Sequence, residues 1–384
     1  MIQLENVTKK YPAGDQPAVN NLSLTVPSGE ICTLIGPSGC GKTTTLKMVN
    51  RLIEPTGGNI FVSVEKGQIV NALEMDPIDL RRKIGYVIQQ IGLFPHRTIL
   101  ENIGTVPKLL GWSKAQIQDR AIELLEMMNM PRDYLTRYPV ELSGGQRQRI
   151  GVARAMAVDP PIMLMDEPFG AIDPINRNLL QNEFLRLQRD LKKTILFVTH
   201  DIDEAIKMSD KMCILNVGGH LEQFDSPANI LANPSNEFVE NFVGADRALK
   251  QLNLMRVEEI MDTHPPLLRF DQPAEQALAD MRERDLGLAY VVDASQRLLG
   301  YVVRRDLRGK SGQVTDFLNE DATGIEINTT LRDGLSEMLM RDYPSACILD
   351  RGRVQGLINL EMIQRTISEN KLKGEGDETQ ERPE

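Results

Sequence analysis

The sequence predicts an α/β protein: a parallel, helix-covered sheet, followed by a smaller α/β module. Three observations predict it. The apolar runs "ICTLIG" (31–36), "IMLMDE" (162–167) and "TILFVTH" (194–200) have the length and continuity of strands buried on both faces. They alternate with amphipathic helical stretches, the pattern of a parallel sheet covered by helices. Finally, a glycine-rich turn, "GPSGCGKTTT" (36–45), directly follows the first run, and two copies of one pattern follow Gly244.

Between these strands, the polar and turn-rich stretch around 54–79 reads as a small antiparallel hairpin layer. Residues 114–158 are strongly helical and predict a separate helical subdomain. Beyond Gly244, residues 257–293 align without a gap on residues 314–350. Val257 falls on Val314, Leu278 on Leu335, Met281 on Met338, Asp285 on Asp342, Ala289 on Ala346 and Asp293 on Asp350. A repeat of about 57 residues means two copies of one supersecondary unit, each too small to bury its own face well. Each copy reads strand, helix, strand, turn, strand, helix, and the pair should pack as one module. The expected domains are therefore 1–244, a linker at 245–255, repeats at 256–311 and 312–370, and a disordered polar tail at 371–384.

The bulk numbers narrow the function. At 384 residues the chain can hold two or three domains with proper cores. A net charge of −10 argues against nucleic acid as a partner, since phosphate backbones call for a clustered basic surface. Cys32, Cys40, Cys213 and Cys347 form no CxxC pair and read as reduced thiols. The start, "MIQLENVTKKY", has no apolar core of a signal peptide, and no apolar run is long enough to cross a bilayer. If the protein works at a membrane, other chains must do the spanning.

"GPSGCGKT" matches G-x-x-x-x-G-K-[ST] from Gly36 to Thr43, between a predicted strand and a predicted helix. Gly36, Gly39 and Gly41 let backbone N–H groups turn inward onto phosphates, with Pro37, Ser38, Cys40 and Thr44 completing the cradle at the positive end of a helix. Cys40 sits where a helix N-terminus could lower its thiol pKa, and it also reads simply as a small residue that fits. Lys42 can reach the β- and γ-phosphates of ATP, and Thr43 offers a hydroxyl to Mg²⁺. Asp166 ends the buried run "IMLMDE" and can hold Mg²⁺; Glu167, next along, is placed to take a proton from an attacking water. His200 ends another apolar strand, at the sheet edge where ligands of open α/β sheets bind, and is expected to contact the γ-phosphate. Gln89 follows "IGYVI" and could ligate Mg²⁺ and report on the γ-phosphate. Tyr11 could stack on a base, and a packed or surface tyrosine fits its spacing as well.

A second glycine loop, "LSGGQRQRI" (142–150), poses a geometric problem. Ser143, Gly144 and Gly145 again offer free N–H groups at a helix start, suited to an anion. One chain cannot easily bring both loops to the same triphosphate from opposite sides. A symmetric head-to-tail homodimer can, with the loop of one copy closing on ATP held by the other.

"LSGGQ", the phosphate loop, "MLMDEP", "GAID" and "VTHD", in this order and spacing, resemble the nucleotide-binding subunit of an ABC transporter over roughly residues 1–240. The resemblance implies a P-loop ABC ATPase core with antiparallel β and helical subdomains, hydrolysing ATP to drive transport. It makes Tyr11 the base-stacking aromatic, Gln89 the Q-loop glutamine, Ser143, Gly144, Gly145 and Gln146 the signature loop, Asp173 the dimer-contacting D-loop acid and His200 the switch histidine. Ile172 stands where the family often has Leu. "IGYVIQQIGLFPH" (84–96), "DPINR" (173–177) and "THDIDEA" (199–205) resemble the ATPases of importers for quaternary-amine osmoprotectants such as glycine betaine, choline and carnitine, and the C-terminal repeat resembles a tandem pair of CBS domains. By that likeness the subunit sits on the cytoplasmic face of the plasma membrane, docks on integral-membrane permease subunits near Gln89–His96 and works with a separate substrate-binding protein.

CBS repeats that bind adenosine nucleotides typically end in G-h-h-[ST]-x-x-D. Here the first copy reads "GYVVRRD", with Val303 at the hydroxyl position and Asp306 kept; the second reads "GLINLEM", with Asn359 and Met362 replacing both. The departure leaves a sensor of ionic strength or of a cyclic dinucleotide, implied by family likeness, beside a plain dimerisation scaffold. Two other functions stand beside the osmoprotectant importer: an importer ATPase for another small solute, and a soluble ABC ATPase of translation or DNA repair. The last usually carries two cassettes or a long coiled-coil insertion, and neither is present in this sequence.

Overall fold

The structure is a computed structural model that describes residues 1–12, 16–65, 68–89, 92–170, 172–322 and 324–376. The chain divides into two compact units, Met1–Ile230 with Pro234–Gly244, and Leu231–Asn233 with Ala245–Glu384.

The strands of the first unit are β1 (Ile2–Lys9), β2 (Val19–Val26), β3 (Ile31–Ile35), β4 (Gly57–Glu65), β5 (Gln68–Asn71), β6 (Ile84–Val87), β7 (Ile162–Asp166), β8 (Thr194–Val198), β9 (Lys211–Asn216) and β10 (His220–Asp225). Six of them form one sheet in the order β10-β9-β3-β8-β7-β6, parallel except for β10 at the edge. β3, β7 and β8 are buried along their whole length, as their unbroken apolar runs predicted. Their side chains alternate between two cores. Met163, Met165, Ile195 and Phe197 face the helical side, whereas Ile162, Leu164, Leu196 and Val198 face the other core, shared with Ile2, Leu4, Leu46 and Val62. Fully burying a side chain such as Phe197 contributes roughly 1.5–3 kcal/mol.

The antiparallel layer is larger than the stretch 54–79 alone indicates. β4 and β5 join β1 and β2 in a four-stranded sheet of order β2-β1-β4-β5. On the helical side, helix Lys114–Met127 and helix Gly144–Ala155 each start in a capping box, Ser113 with Gln116 and Ser143 with Gln146. Between them the chain takes two short 3₁₀ turns, at Arg132–Thr136 and Pro139–Glu141, rather than continuing as helix.

In the second unit the strands are β11 (Leu267–Arg269), β12 (Leu288–Val292), β13 (Leu298–Val303), β14 (Gly324–Glu326), β15 (Ser345–Asp350) and β16 (Arg353–Asn359). They form two three-stranded sheets of identical plan, β11-β12-β13 and β14-β15-β16. Helices Ala274–Glu283 and Leu331–Met340 cross over in each copy. The equivalent Asp285 and Asp342 both turn the chain at positive φ, 48° and 56°.

The repeats exchange their leading segments. Val257, ahead of the first copy, packs with Ile325, Leu331 and Ile348 of the second, and its N–H donates to Thr329 O at 3.0 Å. Reciprocally, Val314 packs with Leu268, Ala277 and Val291 of the first, and its N–H donates to Gln272 O at 2.9 Å. Isolated bridges follow the same symmetry: Arg256 with Thr330 matches Pro273 with Gln313, and Asp262 with Leu357 matches Tyr301 with Asn319. Arg297 pairs with its own counterpart Arg353, which marks the pseudo-twofold axis. Val257 and Val314 therefore each complete the other copy's core, and division of the sequence at 256–311 and 312–370 cuts across both cores.

Three further sequence expectations change. The stretch 245–255 carries a short helix, Arg247–Gln251, and Leu252 is buried in the core of the second copy, so it is not a free linker. The first repeat closes in turns at 304–309, where a helix was expected, whereas the second closes in helix Leu360–Gly376. That helix runs into the stretch expected to be a disordered tail; residues 377–384 lie outside the described residues. All four cysteines are free and buried.

Candidate nucleotide site

The candidate residues gather at the carboxyl ends of four neighbouring strands, β3, β8, β7 and β6, the edge at which open α/β sheets bind ligands. β3 leads into the phosphate loop and then into helix Lys42–Val49. Gly36 and Gly41 hold φ of 152° and 97°. At Gly36 an added Cβ would lie 2.0 Å from Leu215 O, and at Gly41 2.2 Å from Ala18 O. Only glycine lets the loop press this closely on its neighbours. No side chain caps the helix that follows, which leaves its first N–H groups for an anion. The Lys42 ammonium donates to the carbonyls of Gly36 and Pro37, at 2.7 and 2.9 Å, and lies 3.6 Å from Cys40 Sγ. A cation curled over a loop of its own carbonyls fits a cradle for phosphate oxygens. Burial pushes the Cys40 thiol above its usual pKa, although Lys42 opposes the shift, so this cysteine is a packed small group.

Thr43 Oγ1 donates to Asp166 Oδ1 at 3.0 Å. Burial raises the Asp166 carboxyl above the usual carboxylate range, against the Thr43 hydrogen bond and the Lys47 and Lys42 charges. A hydroxyl and a buried carboxylate side by side form the all-oxygen donor set that a hard divalent cation takes.

Glu167 is the meeting point of the site. Its backbone sits at φ 46°, a conformation sparsely used by non-glycine residues, and its N–H donates to Val198 O at 2.9 Å. Gln89 Nε2 donates to Glu167 Oε2 at 2.8 Å, and His200 Nδ1 lies 3.3 Å from Glu167 Oε1. Two residues read from separate motifs, Gln89 and His200, thus converge on the carboxylate of a third.

The remaining residues are placed as follows. Tyr11 is exposed, with the Lys9 ammonium 5.1 Å from its ring centroid. Ser143 Oγ accepts from Gln146 N at 3.3 Å and Gln146 Oε1 accepts from Ser143 N at 2.9 Å; Gln146 Nε2 reaches Tyr134 OH at 3.2 Å. Gly144 and Gly145 form the first turn of the helix. Asp173 caps helix Pro174–Leu191, accepting from Asn176 N at 3.1 Å. The side-chain bonds of Ser143 and Gln146 stay on the helical side, and the structure does not join them to the phosphate loop by any hydrogen bond among the described residues. In the second unit, Asn359 accepts from Met362 N at 2.8 Å and caps the last helix, while Asp306 lies 3.4 Å from Arg305 Nε.

One group at the site escaped sequence analysis. Thr199, beside His200, donates its hydroxyl to Glu204 Oε2, and Gln181 Nε2 donates to Glu204 Oε1 at 3.0 Å; all three are buried. Asp201 caps the helix Ile202–Met208 that carries Glu204, which gave a signal for the helix but none for the buried carboxylate.

Comparison with known proteins gives the family. The ABC transporter family model matches residues 19–170, and the CBS domain model matches residues 257–311. The choline transport ATP-binding protein OpuBA of Bacillus subtilis is 49% identical over 358 residues, 92% of each chain. The osmoprotectant import ATP-binding protein OsmV of Salmonella typhimurium is 48% identical over 383 residues, 97% of this chain and 98% of the relative. Among solved structures, the dimeric bacterial ABC transporter cassette MJ0796 is 34% identical with a TM-score of 0.52, over 59% of this chain and 99% of that one. The chain belongs to the ABC-transporter ATP-binding proteins, in the osmoprotectant-import family, as an ATPase cassette followed by a pair of CBS repeats.

Proposed function

We propose that the chain hydrolyses MgATP to drive a membrane permease that imports a quaternary-amine osmoprotectant of the glycine betaine, choline or carnitine type. The observation that carries the chemistry is the convergence of Gln89 and His200 on Glu167, beside Thr43 and Asp166. The solute class is taken from relatives named for choline and osmoprotectant transport. Gly36–Thr44 hold the triphosphate, with Lys42 exchanging its carbonyl partners for the β- and γ-phosphates. Thr43, Asp166 and Gln89 are the residues that would hold Mg²⁺, whose charge offsets that of the phosphates. Glu167 takes the proton of the attacking water, Gln89 and His200 orient it and the γ-phosphate, and Tyr11 stacks on the base.

Two copies work together. Ser143, Gly144, Gly145 and Gln146 of one protomer close on the nucleotide held by the other, with Asp173 at the contact. Closure on ATP and opening after hydrolysis move the permease between its two facings. No helix among the described residues is long and apolar enough to cross a membrane. The chain acts as a peripheral subunit on the cytoplasmic face, and the permease does the spanning. Recognition of the solute falls to a separate binding protein, where aromatic faces can hold a quaternary ammonium. The CBS pair acts as a regulator, through ionic strength or a bound ligand.

The test is uptake of radiolabelled glycine betaine into vesicles that hold the complete transporter and internal ATP. Wild type accumulates label, unlabelled choline or carnitine competes, and Glu167→Gln abolishes uptake while the variant still binds ATP and forms an ATP-dependent dimer. Uptake unaffected by all three amines would overturn the solute class; a Glu167→Gln chain that stays monomeric with MgATP would overturn the paired site. For regulation, internal salt is titrated against a chain ending at Gly244: a salt response lost on truncation marks the repeats as the switch, and equal responses mark them as a scaffold.

A further inference from the structure

We infer that Glu204 is a positioning residue of the hydrolysis site: it holds the Thr199–His200 turn against helix Pro174–Leu191, so that the switch histidine and the helix beginning at Asp173 move as one piece. This rests on the roles proposed for His200 and Asp173.

The argument starts from exposure. The His200 side chain is 66% exposed and touches Glu167 through a single 3.3 Å approach, so little packing fixes the ring. Its place is set by the backbone on either side. On the β8 side, Thr199 N–H reaches Leu34 O at a long 3.4 Å. The firm anchor is the Thr199 side chain, whose oxygen accepts from Asp201 N at 3.1 Å and whose hydrogen goes to Glu204. One hydroxyl therefore spans His200 from both sides, and the acceptor that fixes its orientation is the Glu204 carboxylate.

Glu204, in the first turn of helix Ile202–Met208, carries the link on to a different part of the fold. It is 6% exposed, and its second oxygen accepts from Gln181 Nε2 at 3.0 Å. Gln181 lies on helix Pro174–Leu191, whose N-cap is Asp173. Arg177, one turn earlier on the same helix face, lies 3.5 Å from Asp201 Oδ2 and donates to Ile172 O at 3.1 Å. Two side chains of that helix thus grip the turn containing His200, one inside and one nearer the surface. A buried carboxylate whose two oxygens accept from separate elements ties both to fixed distances, because either donor loses its partner if the elements part. Burial raises the Glu204 carboxyl above the usual range, while its bonds to Thr199 and Gln181 favour the charged form.

The test is steady-state MgATP hydrolysis by the full-length chain carrying Glu204→Gln, Thr199→Val, both together, or Thr199→Ser. A displacement of the histidine should lower kcat about 30-fold while leaving KM for ATP within about twofold, since Lys42 and the phosphate loop are untouched. Glu204→Gln and Thr199→Val should each have this effect, their combination should be no worse than either alone, and Thr199→Ser, which keeps the hydroxyl, should retain wild-type kcat. A wild-type kcat in Glu204→Gln, or losses that multiply in the double variant, would overturn the clamp. Thermal melting of each variant separates loss of fold from loss of position; should Glu204→Gln melt early, the Thr199 pair decides. His200→Ala tests the underlying reading by itself: full turnover there removes His200 from the reaction, whereas a dead His200→Ala beside an unaffected Glu204→Gln removes the clamp alone.

Discussion

The two glycine loops of the first unit both run into a helix, yet they complete their hydrogen bonds in opposite ways. At the phosphate loop, Gly41 opens helix Lys42–Val49 in a left-handed conformation with no side-chain cap, and a Cβ there would lie 2.2 Å from Ala18 O. The helix end stays open, and the glycine is demanded by the loop's own neighbours. At the signature loop, Ser143 and Gln146 close their helix end reciprocally, and a Cβ on Gly145 would meet Leu180 Cδ1 at an ordinary 3.4 Å. Among the described residues nothing demands glycine at position 145. On the proposed function, the difference separates a loop that holds the nucleotide from one that is approached, in the dimer, by a nucleotide another copy holds.

The same substitution in each loop can break this comparison. Gly41→Ala, the larger expected effect, places a side chain at φ 97° and against a backbone carbonyl. It should cost more than about 1 kcal/mol of stability and lower ATP affinity at least tenfold, roughly 1.4 kcal/mol or more. Titration calorimetry with a non-hydrolysable ATP analogue and a melting curve measure the two losses. Wild-type affinity in this variant would mean that the loop's close packing is not what presents its N–H groups.

The legibility of the molecule follows the same division between local and tertiary causes. The places of Lys42, Thr43, Asp166, Glu167 and His200 at one sheet edge were readable because each stands at a fixed position at or after the end of a strand with an unbroken apolar run. Gln89 needed only a strand to follow, and β6 supplies it. Glu204 was not readable, since a carboxylate in "THDIDEA" looks like an exposed helix residue until helix Pro174–Leu191 covers it with Gln181. The repeats divide likewise. Their alignment was visible, but periodicity does not say which copy a segment joins, so the exchange of Val257 and Val314 emerged only in three dimensions. The missing helix after Val303 has a local cause that the pattern of strand and helix hides. Asn359 caps the closing helix of the second copy through Met362 N, and valine at the matching place has no acceptor to offer.

Gly145→Ala should have the smallest effect on the protomer and the most informative one on the pair. Gly145 lies in the first turn of a helix, where an added methyl meets Leu180 Cδ1 at ordinary contact distance, so alanine should leave the fold intact and stabilise the helix by up to about 1 kcal/mol. ATP affinity of the single chain should not change, because the phosphate loop is elsewhere. ATP-dependent pairing, followed by size-exclusion chromatography in the Glu167→Gln background, should weaken about tenfold, since in the proposed dimer a second copy's phosphates approach the N–H groups of this first turn and must fit beside the added methyl. Unchanged pairing would place the partner's nucleotide away from this loop. A loss of ATP affinity in the single chain would show instead that both loops serve one nucleotide, and the contrast between them would disappear.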